Sequence, residues 1–159
     1  MSQKIKKNRH RPGISLTEAM YAAAILSITV IGVSGYRYCS MMDARKADAY
    51  VASARIGYLL SESWRGMQGD EAYDPVARLG AGMAITASEG PDAPGGYTVL
   101  GSYKIVLNDI TFYATLSWKD ISSTLRALNT AVVWAQRTHD QNGIGDTDKS
   151  FELTTYVLI

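Results

Sequence analysis

The longest stretch of the chain without a charged position lies near its N-terminus. Residues 19–36, AMYAAAILSITVIGVSGY, are eighteen consecutive positions without a charge. Extending back to Ile14 gives 23 residues interrupted only by Glu18. A hydrocarbon core of ~30 Å needs about 20 helical residues, so this segment is long enough to span a bilayer. Past Tyr36 the pattern becomes amphipathic. Ala49, Ala52, Ile56, Leu59 and Leu60 recur at helical spacing, with charge on the other faces. No proline falls in residues 37–67, and Gly66, Gly69 and the QGDE stretch close the pattern. These features predict one helix over residues 14–65, roughly 75 Å long at 1.5 Å per residue. Its first half is apolar all round, and Gly32 and Gly35 mark places where it is able to bend.

Residues 66–96 are rich in Gly, Asp, Pro and Ala, which predicts an irregular connection. From Tyr97 onward β-type residues dominate. Strands are predicted at 103–107 and 110–118 around a tight turn at Asn108-Asp109. Ile110, Phe112, Ala114, Leu116 and Trp118 alternate with Thr111, Tyr113, Thr115 and Ser117, the period of a half-buried strand. Third and fourth strands follow at about 127–137 and 150–158. A sheet of three or four antiparallel strands with one apolar face needs a cover, and the amphipathic half of the helix supplies it. The predicted class is α+β.

A length of 159 residues suits one small domain plus an appendage. A formal net charge of +1 argues against a nucleic-acid partner held by bulk electrostatics. Apolar content of 47% excludes a disordered chain, and a single cysteine, Cys39, excludes a disulfide scaffold. The charge is unevenly placed. Residues 1–13 hold Lys4, Lys6, Lys7, Arg9 and Arg11 with no acid, which leaves the remainder at −4. A basic cluster before an apolar span places the N-terminus in the cytoplasm and sends the rest outward. Three kinds of segment carry this pattern: an uncleaved anchor, a secretory signal with a small-residue site at Val33-Ser34-Gly35 and a mature start at Tyr36, or a prepilin-type leader. Glu18 separates them. An acid drawn to the bilayer centre costs roughly 2.5–3.5 kcal/mol, so acids inside apolar spans are rare and usually functional.

Gly13-Ile14-Ser15-Leu16-Thr17-Glu18, between a short basic leader and the apolar run, resembles the cleavage signal of the type IV pilin and pseudopilin family. The family's usual first mature residue is Phe, replaced here by Ile14, and Ala19-Met20 stands where Leu-Met is common. The resemblance implies cleavage by a prepilin peptidase between Gly13 and Ile14, with N-methylation of Ile14. It implies that Glu18 pairs with the terminal amine of a neighbouring subunit in a filament. Each charge alone is costly in an apolar bundle, so such a pair enforces register. Helix, variable segment and antiparallel sheet follow one another in the pilin-like order. The run AVVWAQ at 131–136, a Gly-containing loop and the terminal FELTTYVLI resemble the minor pilin and minor pseudopilin branch. The implied partners are a prepilin peptidase, other pilin or pseudopilin subunits, an inner-membrane assembly platform and the lipid bilayer, with no cofactor. The implied location is a single pass through the inner membrane with the head outside, followed by a filament in the periplasm or at the cell surface.

Other candidate chemistry is sparse. Residues 140–148 include Asp140, Asn142, Asp146 and Asp148 around two glycines, the oxygen-rich composition that Ca²⁺ uses. An EF-hand loop is not reproduced, because the fifth position is Ile144 and the twelfth is Phe151; a solvated hairpin loop is the simpler expectation. His139 adjoins Asp140 without a nucleophile, and His10 lies in the leader. Gly80-Ala81-Gly82 lacks the third glycine of a dinucleotide fingerprint. Trp64, Trp118 and Trp134 read as core or sheet-face aromatics. A structural protein, not an enzyme, is the expectation.

Overall fold

The computed structural model describes residues 15–135 and 143–159. Two compact units divide between Asp43 and Ala44. Helix α1 (Leu16–Arg65, 50 residues) runs through that division. The second unit adds a short helix α2 (Pro75–Leu79) and strands β1 (Ile85–Ala87), β2 (Thr98–Leu107), β3 (Ile110–Ser122), β4 (Leu125–Trp134) and β5 (Lys149–Leu158). The strands form one sheet in the order β1-β2-β3-β4-β5, every neighbour antiparallel. The protein is α+β, with the second half of an apolar N-terminal helix packed on a five-stranded sheet.

Within residues 44–65, α1 buries Ala49, Ser53, Ile56, Gly57, Leu60, Ser61 and Trp64. These fall at intervals of three and four, one stripe of a 3.6-residue helix. Leu59, expected on that stripe, is exposed because it sits one residue, about 100°, off the face that holds Leu60. Trp64 carries the far end of the stripe. It is fully buried, stacks on Tyr73 at 6.1 Å and donates its indole N–H to the Asp70 carbonyl at 2.9 Å. Facing the stripe are Ile105, Phe112, Ala114, Leu116, Leu128, Val132 and Trp134 of the sheet. The two buried hydroxyls of Ser61 and Thr130 meet at 3.2 Å, so neither is stranded in the apolar layer.

Two glycines permit close approach. At Gly57 a Cβ would stand 2.7 Å from the Phe151 ring, so the bare helix backbone seats that ring. Gly69, at φ +70°, turns the chain after α1 and lies against Val157 and Leu128, where a Cβ would come within 2.9 Å. The Asn108-Asp109 turn forms as expected. Both residues have positive φ (50° and 61°), as a two-residue hairpin requires, and Leu107 pairs with Ile110 across it.

Three expectations are corrected. The sheet has five strands, not three or four, because the connection 66–96 contains α2 and β1. Helix α2 starts where Asp74 accepts from the Val76 N–H at 2.9 Å and Pro75 fixes the first turn. Strand β1, at three residues, is too short to show a period. β3 is also not a half-buried strand. Tyr113, Thr115 and Ser117 are buried together with Phe112, Ala114 and Leu116. The outer face is covered in part by the segment after β1, where Gly90 lies directly on Thr115 and Ser102. β2 begins five residues earlier than expected, and β4 ends at Trp134.

Candidate assembly surface

Every described residue from 15 to 48 is exposed, and among the described residues of its unit none buries the apolar part of α1. Leu16, Ile25, Leu26, Ile28, Ile31 and Val33 all present their side chains outward. The helix is long and apolar enough to cross a membrane. Apolar side chains on all faces, rather than one stripe, fit a helix surrounded by lipid or by other apolar helices. Three of the hydroxyls within the span are compatible with such surroundings. Ser27, Thr29 and Ser34 each donate to the carbonyl four residues back, Ala23, Ile25 and Val30, at 2.8 Å.

The start of α1 explains how Glu18 is placed. Ser15 is the N-cap: its Oγ accepts the Glu18 N–H at 3.2 Å, and its carbonyl accepts the Ala19 N–H at 3.1 Å. The Ser-x-x-Glu spacing is that of a capping box, and an acid in the first turn opposes the positive end of the helix dipole. Glu18 therefore has a local structural role as well as its position at the edge of the apolar span. Gly13 and Ile14, the expected cleavage and methylation residues, lie outside the described residues.

The other sequence candidates are scattered. Asp140, Asn142 and His139 lie outside the described residues. Asp146 closes a 3-10 turn (Ile144–Asp146), and Asp148 pairs with Lys149 at 3.5 Å. Among the described residues no group of three or more His, Cys, Asp or Glu is arranged to hold a metal. Cys39 is exposed on α1. Gly80 and Gly82 belong to the turn that ends α2, where the Gly80 N–H bonds to the Val76 carbonyl. Trp64 and Trp134 are core residues, and Trp118 packs at the sheet end under Arg126.

Arg126 is the residue that sequence reasoning passed over. Its guanidinium lies 3.9 Å over the Trp118 ring and donates to Asp120 at 2.7 and 3.2 Å, to Glu71 at 3.0 Å and to the Gly69 carbonyl at 3.0 Å. Hydrogen bonds from Arg126 hold the Asp120 carboxyl below its ordinary value; burial opposes this and the guanidinium charge adds to it. Asp120 and Arg126 are cross-strand partners on β3 and β4. The cluster ties the turn after α1 to the end of the sheet. Glu71 and Gly69 are more than fifty residues away in sequence, so only the Asp120–Arg126 spacing across a hairpin was available as a signal.

In comparisons of sequence and of fold, no family model, curated protein or solved structure matches this chain. The arrangement itself is pilin-like: a long apolar N-terminal helix whose second half packs on an antiparallel sheet.

Proposed function

We propose that the chain is a prepilin-like structural subunit, of the minor pilin or minor pseudopilin kind. A prepilin peptidase cuts it between Gly13 and Ile14 and methylates Ile14, and an inner-membrane platform assembles it into a type IV pilus or a secretion pseudopilus. One observation carries this reading. Residues 16–36 are exposed and apolar on all sides, with Glu18 as the single charge, at the first turn of the helix. Such a surface is stable only in lipid or against other apolar helices. In the membrane it stores the subunit. On leaving lipid it buries itself against its neighbours, and Glu18 sets the register. The role is structural and needs no cofactor. The minor assignment rests on the resemblance at residues 131–159 and on a chain with one cysteine, which cannot form an intrachain disulfide.

The test is the N-terminus and intact mass of the protein recovered from the native envelope. The expected chain begins at Ile14 and carries one added methyl group. A chain beginning at Tyr36 would point instead to a secreted binding domain with an ordinary signal sequence. A retained Met1, with the peptidase present, would leave a static anchor.

A further inference from the structure

The three tyrosines among residues 15–43 are not spread along the span. Tyr21 stands one turn after Glu18, and Tyr36 and Tyr38 flank Arg37, the first charge beyond the span. All three are largely exposed, at 73%, 76% and 67%. Between them, residues 22–35 contain no aromatic side chain and no charge. Aromatic side chains with a polar tip favour the two membrane–water interfaces, and the apolar stretch between such bands lies in the hydrocarbon. We infer that Tyr21 at one end and Tyr36 with Tyr38 at the other form an interfacial girdle that fixes the depth of α1 in the bilayer, its ligand being the phospholipid headgroup and glycerol layer. The inference rests on the membrane-storage step of the proposed function and adds residues to it.

The geometry makes the girdle asymmetric. Side chains on a helix lean toward its N-terminus. Tyr21 therefore leans toward the cytoplasmic headgroups. Tyr36 and Tyr38 lean back toward the hydrocarbon, so their backbone must sit in the outer headgroup layer for the rings to lie at its lower edge. Two residues apart on a helix, Tyr36 and Tyr38 differ by about 200° and so hold opposite sides of α1, which resists tilt. Glu18 lies about 27 Å below Tyr36 along the axis, close to the ~30 Å thickness of the core. With the girdle in place, the Glu18 backbone stands a few ångströms inside the cytoplasmic boundary, and its side chain, leaning toward the N-terminus, carries the charge to the hydrated layer. The five basic residues of 1–13 hold the same end against an anionic inner leaflet.

Full-length protein is inserted into vesicles of three parts phosphatidylcholine to one part phosphatidylglycerol, with a fluorophore on the native Cys39, the chain's one cysteine. Nitroxide-labelled lipids then quench it from the headgroup or from mid-chain. The expected result is headgroup quenching at least about twofold stronger than mid-chain quenching. Combining Tyr36→Ala with Tyr38→Ala should bring the ratio to about one, and Trp at both positions should restore it. A label at Thr17→Cys in a Cys39→Ser background should also respond chiefly to the headgroup quencher. An unchanged ratio in the double alanine variant, or mid-chain quenching that dominates at either label, would overturn the girdle while leaving the anchor intact. Labels quenched by neither lipid would show that the helix does not insert, and the storage step would fail with it.

Discussion

At the scale of single residues, two charged side chains have separable roles. Glu18 is held in the first turn of α1 beside its Ser15 cap, so its removal has a small local cost and a large expected consequence in assembly. Ala at this position forgoes a dipole interaction of about 0.3–1 kcal/mol, too little to unfold a long apolar helix. Glu18→Ala should therefore still insert and be cleaved, while its incorporation into filaments falls at least about tenfold if the charge pair sets register. Immunoblots of membrane and sheared-filament fractions read both quantities. Equal incorporation of the variant would remove Glu18 from the assembly mechanism. Arg126 acts inside the head, where it joins Asp120 and Glu71. Because the folded Asp120 carboxyl lies below its ordinary 3.8, the stabilisation is complete above that value and is lost as pH falls through the lowered one. Detergent-solubilised protein should lose more of its urea midpoint between about pH 6 and about pH 2 than the Asp120→Asn variant does. Parallel losses in the two proteins would show that the pair contributes nothing.

Elements are joined here by close approach rather than by area alone. Phe151 of β5 sits on the bare backbone of Gly57, edge-on to Tyr50 at 6.2 Å and tilted against Tyr58 at 6.4 Å. A large side chain at residue 57 would have to push this ring out or lift the helix from the sheet. Gly57→Leu should cost about 1–3 kcal/mol in chemical unfolding despite a better helix propensity. Adding Phe151→Ala should recover part of that cost, and strictly additive losses would show that the two positions do not share space. At β3 the same principle decides burial. The strand's outer hydroxyl face is covered in part because Gly90 brings the chain back over Ser102 and Thr115, whose hydroxyls bond at 2.9 Å.

For the whole molecule, the two units differ in what holds them. All the buried residues of α1 lie between Ala49 and Trp64, and the described residues before them contribute none to the core. Deleting the apolar half should therefore leave the head's stability almost intact. A chain beginning at Arg37 is expected to be soluble without detergent and to melt within about 3 °C of the solubilised full-length protein, as followed by circular dichroism. A loss of more than about 10 °C would mean that the apolar half supports the head directly.

The sequence by itself determined the elements whose signal is local. The apolar run with its edge acid, the Ala49, Ile56 and Leu60 positions of the buried stripe and the Asn108-Asp109 turn each follow from the spacing or the backbone preference of neighbouring residues. The candidate assembly surface was legible for the same reason, because a span is a property of consecutive residues. What depends on distant residues was decided only in the tertiary structure. β1 is a strand because Ile85 finds Ile105, and three residues cannot announce that alone. Residues 112–117 of β3 are buried on both faces, in part because Gly90 comes to lie on Thr115, although the sequence alternates as a half-exposed strand would. Arg126 is buried, and it reaches Glu71 and the Gly69 carbonyl because the turn after α1 comes to the sheet end, joining residues 55 and 57 positions apart. Periodicity reports which face of an element is apolar; only the packed chain determines what covers the other face.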